Sequence, residues 1–310
     1  MLGWNAPLLP PLARTEIDRA ADERDEPGLL DRLRADPLAR VIAVRGDRTL
    51  LSVSGDRLHT LAPDEIGERA EWAFLGRDDD GRALLLAALP DSAEPAAPAL
   101  SGGAEWGSLR AVGGVLEAVD AGLFATAVSL GRWLVDAPFC SACGTRTVIR
   151  AAGWARTCPS CRREHFPRTD PAVIVAVTSA DGERILLGKN ALWADRNMYS
   201  TFAGFVEAGE SLESAIVREI REEAGVEVTA SGYRGSQAWP YPRSLMIGFR
   251  AKVAADATAT PDGVEIVDAR WFDRAEVRAG LAGAREFALP GSASIARALI
   301  EEWAHERTDP

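Results

Sequence analysis

The stretch GFVEAGESLESAIVREIREEAGV, residues 204–226, carries six glutamates, and three of them, Glu219, Glu222 and Glu223, crowd its end. Ser211 is a suitable N-cap and Gly225 a suitable stop, so the pattern predicts a helix over 212–224. At about 100° per residue the three glutamates occupy a sector of roughly 100°, as surface neighbours at i, i+3 and i+4. Like charges so spaced destabilise a helix by about 0.2–0.5 kcal/mol per pair. Their place near the helix C-terminus, where the dipole disfavours anions, adds to the cost. Some positive charge must compensate. Hard divalent cations such as Mg2+ or Mn2+ take carboxylate oxygens and convert the repulsion into coordination; a solvated acidic face is the alternative. The carboxylates also border an apolar stripe of Ile216, Ile220 and Ala224, which places them at the edge of a core. Gly204 and Gly209, in the loop before the helix, let backbone approach a ligand closely.

Upstream lie the four cysteines of the chain, Cys140, Cys143, Cys158 and Cys161, spaced C-x2-C-x14-C-x2-C with none left over. Two such pairs suit one tetrahedral zinc ion, and four sulfurs fill its coordination sphere, so the site is structural. His165 follows closely and reads as a polar residue on a strand or loop. Six arginines between Cys140 and Asp170 (146, 150, 156, 162, 163 and 168) face only Glu164 and Asp170. This basic island is a solvated ribbon surface or a contact for a polyanion or a partner subunit.

The whole chain, of 310 residues, has a net charge of −11, with 47% hydrophobic and 26% charged residues. That is an ordinary globular composition, long enough for two or three modules. The acidic balance disfavours general nucleic-acid binding outside a local basic cluster. No secretory pattern opens the sequence, and no apolar run approaches the roughly 20 residues of a membrane span. A cytoplasmic location is therefore expected.

Three modules are expected, at 1–135, 136–167 and 168–310. In the first, 39–53 and 71–89 each read as strand, turn and strand, 90–104 as a linker, and 109–137 as mostly helical. No internal repeat of fixed period is found. In the third, 170–177 is a continuous apolar run, predicting a strand covered on both faces. Strands near 184–190, 244–253 and 269–272 and an amphipathic helix over 292–306 complete an α/β sandwich. Gly182 to Lys189 faintly echoes a P-loop, but Asn190 stands where Ser or Thr is required.

Residues 204–226 match the Nudix box, G-x5-E-x7-R-E-U-x-E-E-x-G-U, at Gly204, Glu210, Arg218, Glu219, Ile220, Glu222, Glu223, Gly225 and Val226. The segment SQAWPYPRS (236–244) resembles the S-Q-P-W-P-F-P-x-S signature of the NADH pyrophosphatase subfamily, with Ala238 for proline and Tyr241 for phenylalanine. A four-cysteine ribbon just before the Nudix box is also a subfamily feature. The resemblance implies a Nudix α/β/α sandwich, preceded by a zinc ribbon and a β-rich N-terminal domain. It implies metal-dependent hydrolysis of the pyrophosphate of NAD(H) to NMN(H) and AMP, with removal of NAD caps from RNA as a related activity. A homodimer is implied as well. A catalytically silent Nudix-type binder of NAD or ADP-ribose is the alternative.

By the same resemblance, Glu219 and Glu223 bind Mg2+ or Mn2+, Glu222 binds metal or orients water, and Arg218 holds a glutamate in place. The Ala203 carbonyl and Glu265 join the metal ligands, while Glu210 supports the loop. Phe166 and Phe205 are ring-stacking candidates. Ser236, Gln237, Ala238, Trp239, Pro240, Tyr241, Pro242, Arg243 and Ser244 form the substrate-binding segment. Its prolines stiffen a backbone that presents rigid aromatic faces to a flat ring such as nicotinamide or adenine. Ala296 is carried over as a residue near the ligand. Gly153 stands where some relatives place a glutamate, so any contact there is through backbone.

Overall fold

The computed structural model describes residues 8–14, 17–90, 104–253 and 258–306. The stretch read as a linker lies almost wholly outside them. The described chain forms two compact units. One comprises Arg14–Thr169 with Ala238–Arg243; the other comprises Asp170–Gln237 with 8–13 and 244–306.

The second unit is built on β9 (Asp170–Thr178), the strand read from the apolar run. Val173, Val175 and Val177 belong to one core cluster, while Ile174 and Ala176 belong to another, so both faces are covered. Around it lie β10 (Arg184–Asn190), β11 (Phe202–Phe205), β12 (Val228–Trp239), β13 (Ser244–Val253) and β14 (Ile266–Asp273). The sheet order is β12-β13-β9-β10-β14, with β11 also paired to β9. β13 runs parallel to β9, whereas β10 and β11 are antiparallel to it. Helix α4 (Leu212–Ala224) packs Ala215, Ile216, Ile220 and Ala224 on the valine face. Helix α6 (Ile295–His305) packs Ile295, Leu299 and Trp303 on the other, beside α5 (Arg274–Leu281). This is an α/β/α sandwich, as expected.

The first unit contains α1 (Leu29–Arg34), β1 (Arg40–Arg45), β2 (Arg48–Leu51), β3 (Glu71–Arg77), β4 (Ala83–Leu89), β5 (Glu105–Ser108), α2 (Leu109–Val112) and α3 (Ala118–Asp136). Its sheet order is β3-β4-β1-β2-β5, with β1 parallel to β4 and the other pairs antiparallel. Position for position this repeats β12-β13-β9-β10-β14, including the parallel pair at the centre. A repetition of topology is therefore present where the sequence has no repeat of fixed period. Among the described residues the counterpart of α4 is missing. The face opposite α3 is covered instead by Leu29 and Leu33 of α1 and by Ala152.

The expectation that no apolar run approaches a membrane span needs correction. α3, with 19 residues, is long and apolar enough by length and composition. Eleven of its residues are buried, and it packs against β1, β3 and β4. A Cβ on Gly131 would lie 3.4 Å from Ala88 Cβ and 3.7 Å from Val44 Cγ1, so helix and sheet meet closely there. Its hydrophobicity is spent on the core of the unit.

The cysteine segment adds β6 (Val148–Arg150), β7 (Ala155–Thr157) and β8 (Glu164–His165) as a small antiparallel sheet. Its chain passes through Ala151, Ala152 and Gly153, all with positive φ. A Cβ on Gly153 would lie 2.3 Å from Ala73 Cβ, so no side chain fits where some relatives carry glutamate.

The bounds of α4 follow from its ends. Ser211 Oγ accepts from the Ser214 N–H at 3.1 Å, and Gly225, at φ 66°, donates its N–H to the Arg221 carbonyl at 3.0 Å. An L-residue is strained in that conformation, and a Cβ would lie 3.2 Å from the Thr260 carbonyl oxygen. Gly225→Ala should lower stability by about 1–2 kcal/mol, read as a fall in Tm on thermal unfolding.

Candidate functional site

The acidic face of α4 carries its own cation. The Arg218 guanidinium grips Glu210 through two nitrogens, Nε to Oε1 at 2.9 Å and Nη2 to Oε2 at 2.8 Å. Nη1 reaches Glu219 Oε1 at 2.8 Å and Glu222 Oε2 at 3.2 Å, and Nη2 also donates to the Phe205 carbonyl at 3.0 Å. The forked bond draws the Glu210 carboxyl down to about 2 and holds Arg218 firmly protonated. Part of the repulsion expected on this face is therefore relieved within the chain.

Glu223 is left out of that network. It is 5% exposed, and its Oε2 is buried without a hydrogen-bond partner. Burial raises its carboxyl to about 8, aided by the charges of Glu265, Glu219 and Asp262; a bond from the Ala203 backbone opposes this. Burial also raises Glu219, against the pull of Arg218. Glu222 is the open member, its side chain 58% exposed. A buried carboxylate oxygen without a partner, repelled by neighbouring carboxylates, fits a hard divalent cation. The same arrangement explains Gly204: a Cβ there would lie 1.9 Å from Glu219 Oε1.

Glu265 stands between two anchors that sequence reasoning missed. Its Oε1 accepts from Asn190 Nδ2 at 3.3 Å, and its carbonyl accepts from the Ala191 N–H at 2.8 Å. The Asp262 carboxylate accepts from the backbone of Val264, Glu265 and Ile266, at 3.1, 3.1 and 2.8 Å for Oδ1. The dipeptide Asp262-Gly263 was the available signal, since Asp before Gly favours a turn closed by its own carboxylate.

Other candidates fall in several places. Phe205, on β11, and Phe166, after β8, expose their rings, at 55% and 49%. Gln237 is buried; its Nε2 donates to the Ala293 carbonyl at 3.1 Å, and its Oε1 is an acceptor without a partner. Ser236 lies 3.3 Å from the Tyr233 hydroxyl, and Ser244 is buried at the start of β13. Ala238, Trp239, Pro240, Tyr241, Pro242 and Arg243 belong to the first unit. Ala296, on α6, is buried in the core on the sheet face opposite α4 and is not gathered with the glutamates.

The four cysteines do converge. Among the described residues they are the one group of Cys, His, Asp or Glu whose ligand atoms all lie within 4.8 Å of one another. Two matching turns bring them there. Cys140 and Cys158 donate their N–H groups to the carbonyls of Thr145 and Arg163, and accept from Gly144 and Arg162. Gly144 and Arg162 share a left-handed conformation, φ 73° and 62°. Four soft thiols on two such turns suit zinc. His165 lies on β8 outside the group, as read from the sequence. Of the six arginines nearby, Arg156 is buried, donating to the Leu134 carbonyl at 2.6 Å; the other five are exposed.

Residues 168–290 match the model of the NUDIX domain, 136–166 the NADH pyrophosphatase zinc ribbon domain, and 38–133 an NADH pyrophosphatase-like rudimentary NUDIX domain. A protein of Mycobacterium tuberculosis named NAD-capped RNA hydrolase NudC is 39% identical over 96% of this chain and 95% of its own. The chain belongs to the NADH pyrophosphatase family of Nudix hydrolases. A protein of the same name from Stutzerimonas stutzeri is 41% identical over 66% of this chain and 69% of its own. The crystal structure of a NUDIX hydrolase from Nitrosomonas europaea aligns over 49% of this chain and 96% of its own, at 25% identity and a TM-score of 0.38. The rudimentary Nudix match falls on the sheet that repeats the Nudix strand order without α4.

In this Nudix domain the glutamate that burial strains most is Glu223. Its isosteric Glu223→Gln variant should raise stability by roughly 1–3 kcal/mol without added divalent ions, because an uncompensated buried charge is removed. Thermal unfolding at pH 8 checks this. Adding Mn2+ should raise the Tm of the wild type and leave the variant unmoved.

Proposed function

We propose that this protein hydrolyses the pyrophosphate bond of NAD(H), giving NMN(H) and AMP, and that it acts on the same bond at NAD-capped RNA ends. The observation that carries the reading is the buried, partnerless Oε2 of Glu223 beside Glu219 and Glu265. The family relationship and the name of the full-length mycobacterial relative support the substrate. Glu219, Glu223 and Glu265 would hold the divalent cation, Mg2+ or Mn2+. When bound, such an ion neutralises pyrophosphate oxygens and makes its water a better nucleophile.

The chain's own residues supply the rest. Glu222, the exposed carboxylate, orients the attacking water and takes its proton, while Arg218 fixes the carboxylates around it. The water oxygen bonds to one phosphorus, the bridging P–O bond breaks, and the released phosphate keeps the bridging oxygen. Phe205 offers its exposed ring to a planar base, and the free acceptor of Gln237 is available to a ring amide. The four cysteines would hold zinc as a structural brace.

Incubation of NADH with Mn2+ or Mg2+ should yield NMNH and AMP by chromatography. Glu219→Gln, Glu222→Gln and Glu223→Gln should each cut turnover by about 10²-fold or more, the scale of a lost transition-state electrostatic element. Full activity in all three would sink the reading.

The five exposed arginines of the cysteine segment, 146, 150, 162, 163 and 168, are the basic surface offered to an RNA body. Turnover of NAD-capped RNA should fall steeply with added salt while that of NADH changes little. Equal salt slopes for the two substrates would reject the RNA contact.

A further inference from the structure

Position 190, where asparagine replaces the Ser or Thr of a P-loop, has a task of its own in the Nudix unit. β10 and β14 pair antiparallel, with Lys189 opposite Asp268. The register then shifts, so that Asn190 stands opposite Ile266 and Val267 is left over as a bulge. A bulge bends its strand and re-aims the neighbouring side chains. Here it brings Asn190 one residue nearer to Glu265 than regular pairing would.

The backbone that follows decides which way the Asn190 amide points. Oδ1 accepts from the Leu192 N–H at 2.9 Å and so caps the next turn. With Oδ1 engaged there, Nδ2 donates to Glu265 Oε1 at 3.3 Å. The Ala191 N–H donates to the Glu265 carbonyl at 2.8 Å, so adjacent residues hold both the side chain and the backbone of Glu265. Glu265 is exposed, and its charge acts on both Glu219 and Glu223. A free side chain so placed would swing into solvent, away from two like charges. The amide opposes that swing while engaging only one of the two carboxylate oxygens.

We propose that Asn190 is a positioning residue for the divalent-ion site: it holds Glu265 beside Glu219 and Glu223 before the ion arrives, and thereby sets the affinity for that ion. This rests on the reading of Glu265 as a ligand. Asn190 itself touches neither ion nor substrate. Its neutral amide suits the place, since it donates to a carboxylate without supplying a charge that would compete with the cation.

The test compares the wild type with Asn190→Ser, Glu265→Gln and the double variant. Serine keeps a hydroxyl that can cap the Leu192 N–H but is too short to reach Glu265. The Kd of Mn2+ is read without substrate, from the paramagnetic resonance signal of the free ion, and Tm is read without divalent ions. Asn190→Ser should raise the Mn2+ Kd about tenfold, the lower end of what a lost hydrogen bond to a metal ligand costs. Its Tm should stay within about 4 °C of the wild type, because the cap survives. Glu265→Gln should raise Kd at least as far. The double variant should go no further than Glu265→Gln alone, because Asn190 acts only through that carboxylate.

An unchanged Mn2+ Kd in Asn190→Ser, with Glu265→Gln weakened, would overturn the proposal and leave Glu265 a ligand. Effects that multiply in the double variant would also overturn it, since Asn190 would then act by another route. So would a weakened affinity that comes with a large fall in Tm, the mark of a merely structural bond. An unchanged Kd in Glu265→Gln would remove Glu265 from the ligands, and the proposal with it. If the wild type binds Mn2+ but leaves NADH intact, the proposed hydrolysis fails, while the Mn2+ affinities still report on Asn190.

Discussion

The Arg218 guanidinium is the constraint on which the acidic helix depends. α4 presents Glu219 and Glu222 on one surface, and Glu210 approaches from the loop before it. One planar cation reaches all three, and also the Phe205 carbonyl that ends β11. Loop, strand and helix are thereby fixed to one another at the point where carboxylates must converge. The guanidinium is suited to this because its fork offers several donors in one plane, which an ammonium does not. The chain uses the device widely: only Lys189 and Lys252 among its 35 basic residues are lysines. Arg77 grips Glu23 through two nitrogens in the first unit, and Arg234 and Arg250 share Glu302 in the second.

The helix and the cysteine group were legible in the sequence because local chemistry determines them. The Ser211 cap and Gly225 stop gave the bounds of α4 without reference to any neighbour, and paired C-x2-C turns gave the metal group. β9 was legible because a strand buried on both faces has no polar side to interrupt its apolar run. β11 was missed, since Phe202–Phe205 is short and glycine-bearing and becomes a strand only by pairing with β9. Arg218 was read as a holder of one glutamate, and its reach to Glu210 depends on a loop conformation that spacing does not give. The carry-over of Ala296 rested on resemblance alone, and its side chain lies in the core on the other face of the sheet.

The repeated strand order shows why the first unit carried no readable chemistry. A sheet of the same topology needs the same alternation of apolar residues, but that pattern tolerates any sequence of suitable volume. Without a counterpart of α4 there is no acidic stripe, and its face is closed by Leu29, Leu33 and Ala152 instead. The closure draws the cysteine segment onto the sheet. Ala151 and Ala152 adopt left-handed backbone there, which costs alanine of order 1–3 kcal/mol per residue. Close packing on β3 offsets it: Gly153 admits no Cβ, and Trp154 Nε1 donates to the Phe74 carbonyl at 2.7 Å.

The geometry around Arg218 also ranks its bonds. Glu210 receives a forked pair, the strongest form of the interaction, whereas Glu219 and Glu222 share the single nitrogen Nη1. A carboxylate held through a single N–H gives up less when it turns toward another cation than one held by the fork. Glu210 is therefore the fixed end of the arginine, and Glu219 and Glu222 are its exchangeable end. Glu223, deeper and beyond its reach, has no protein cation to exchange. The gradient runs from a fully neutralised carboxylate at the loop to a wholly unneutralised one in the core.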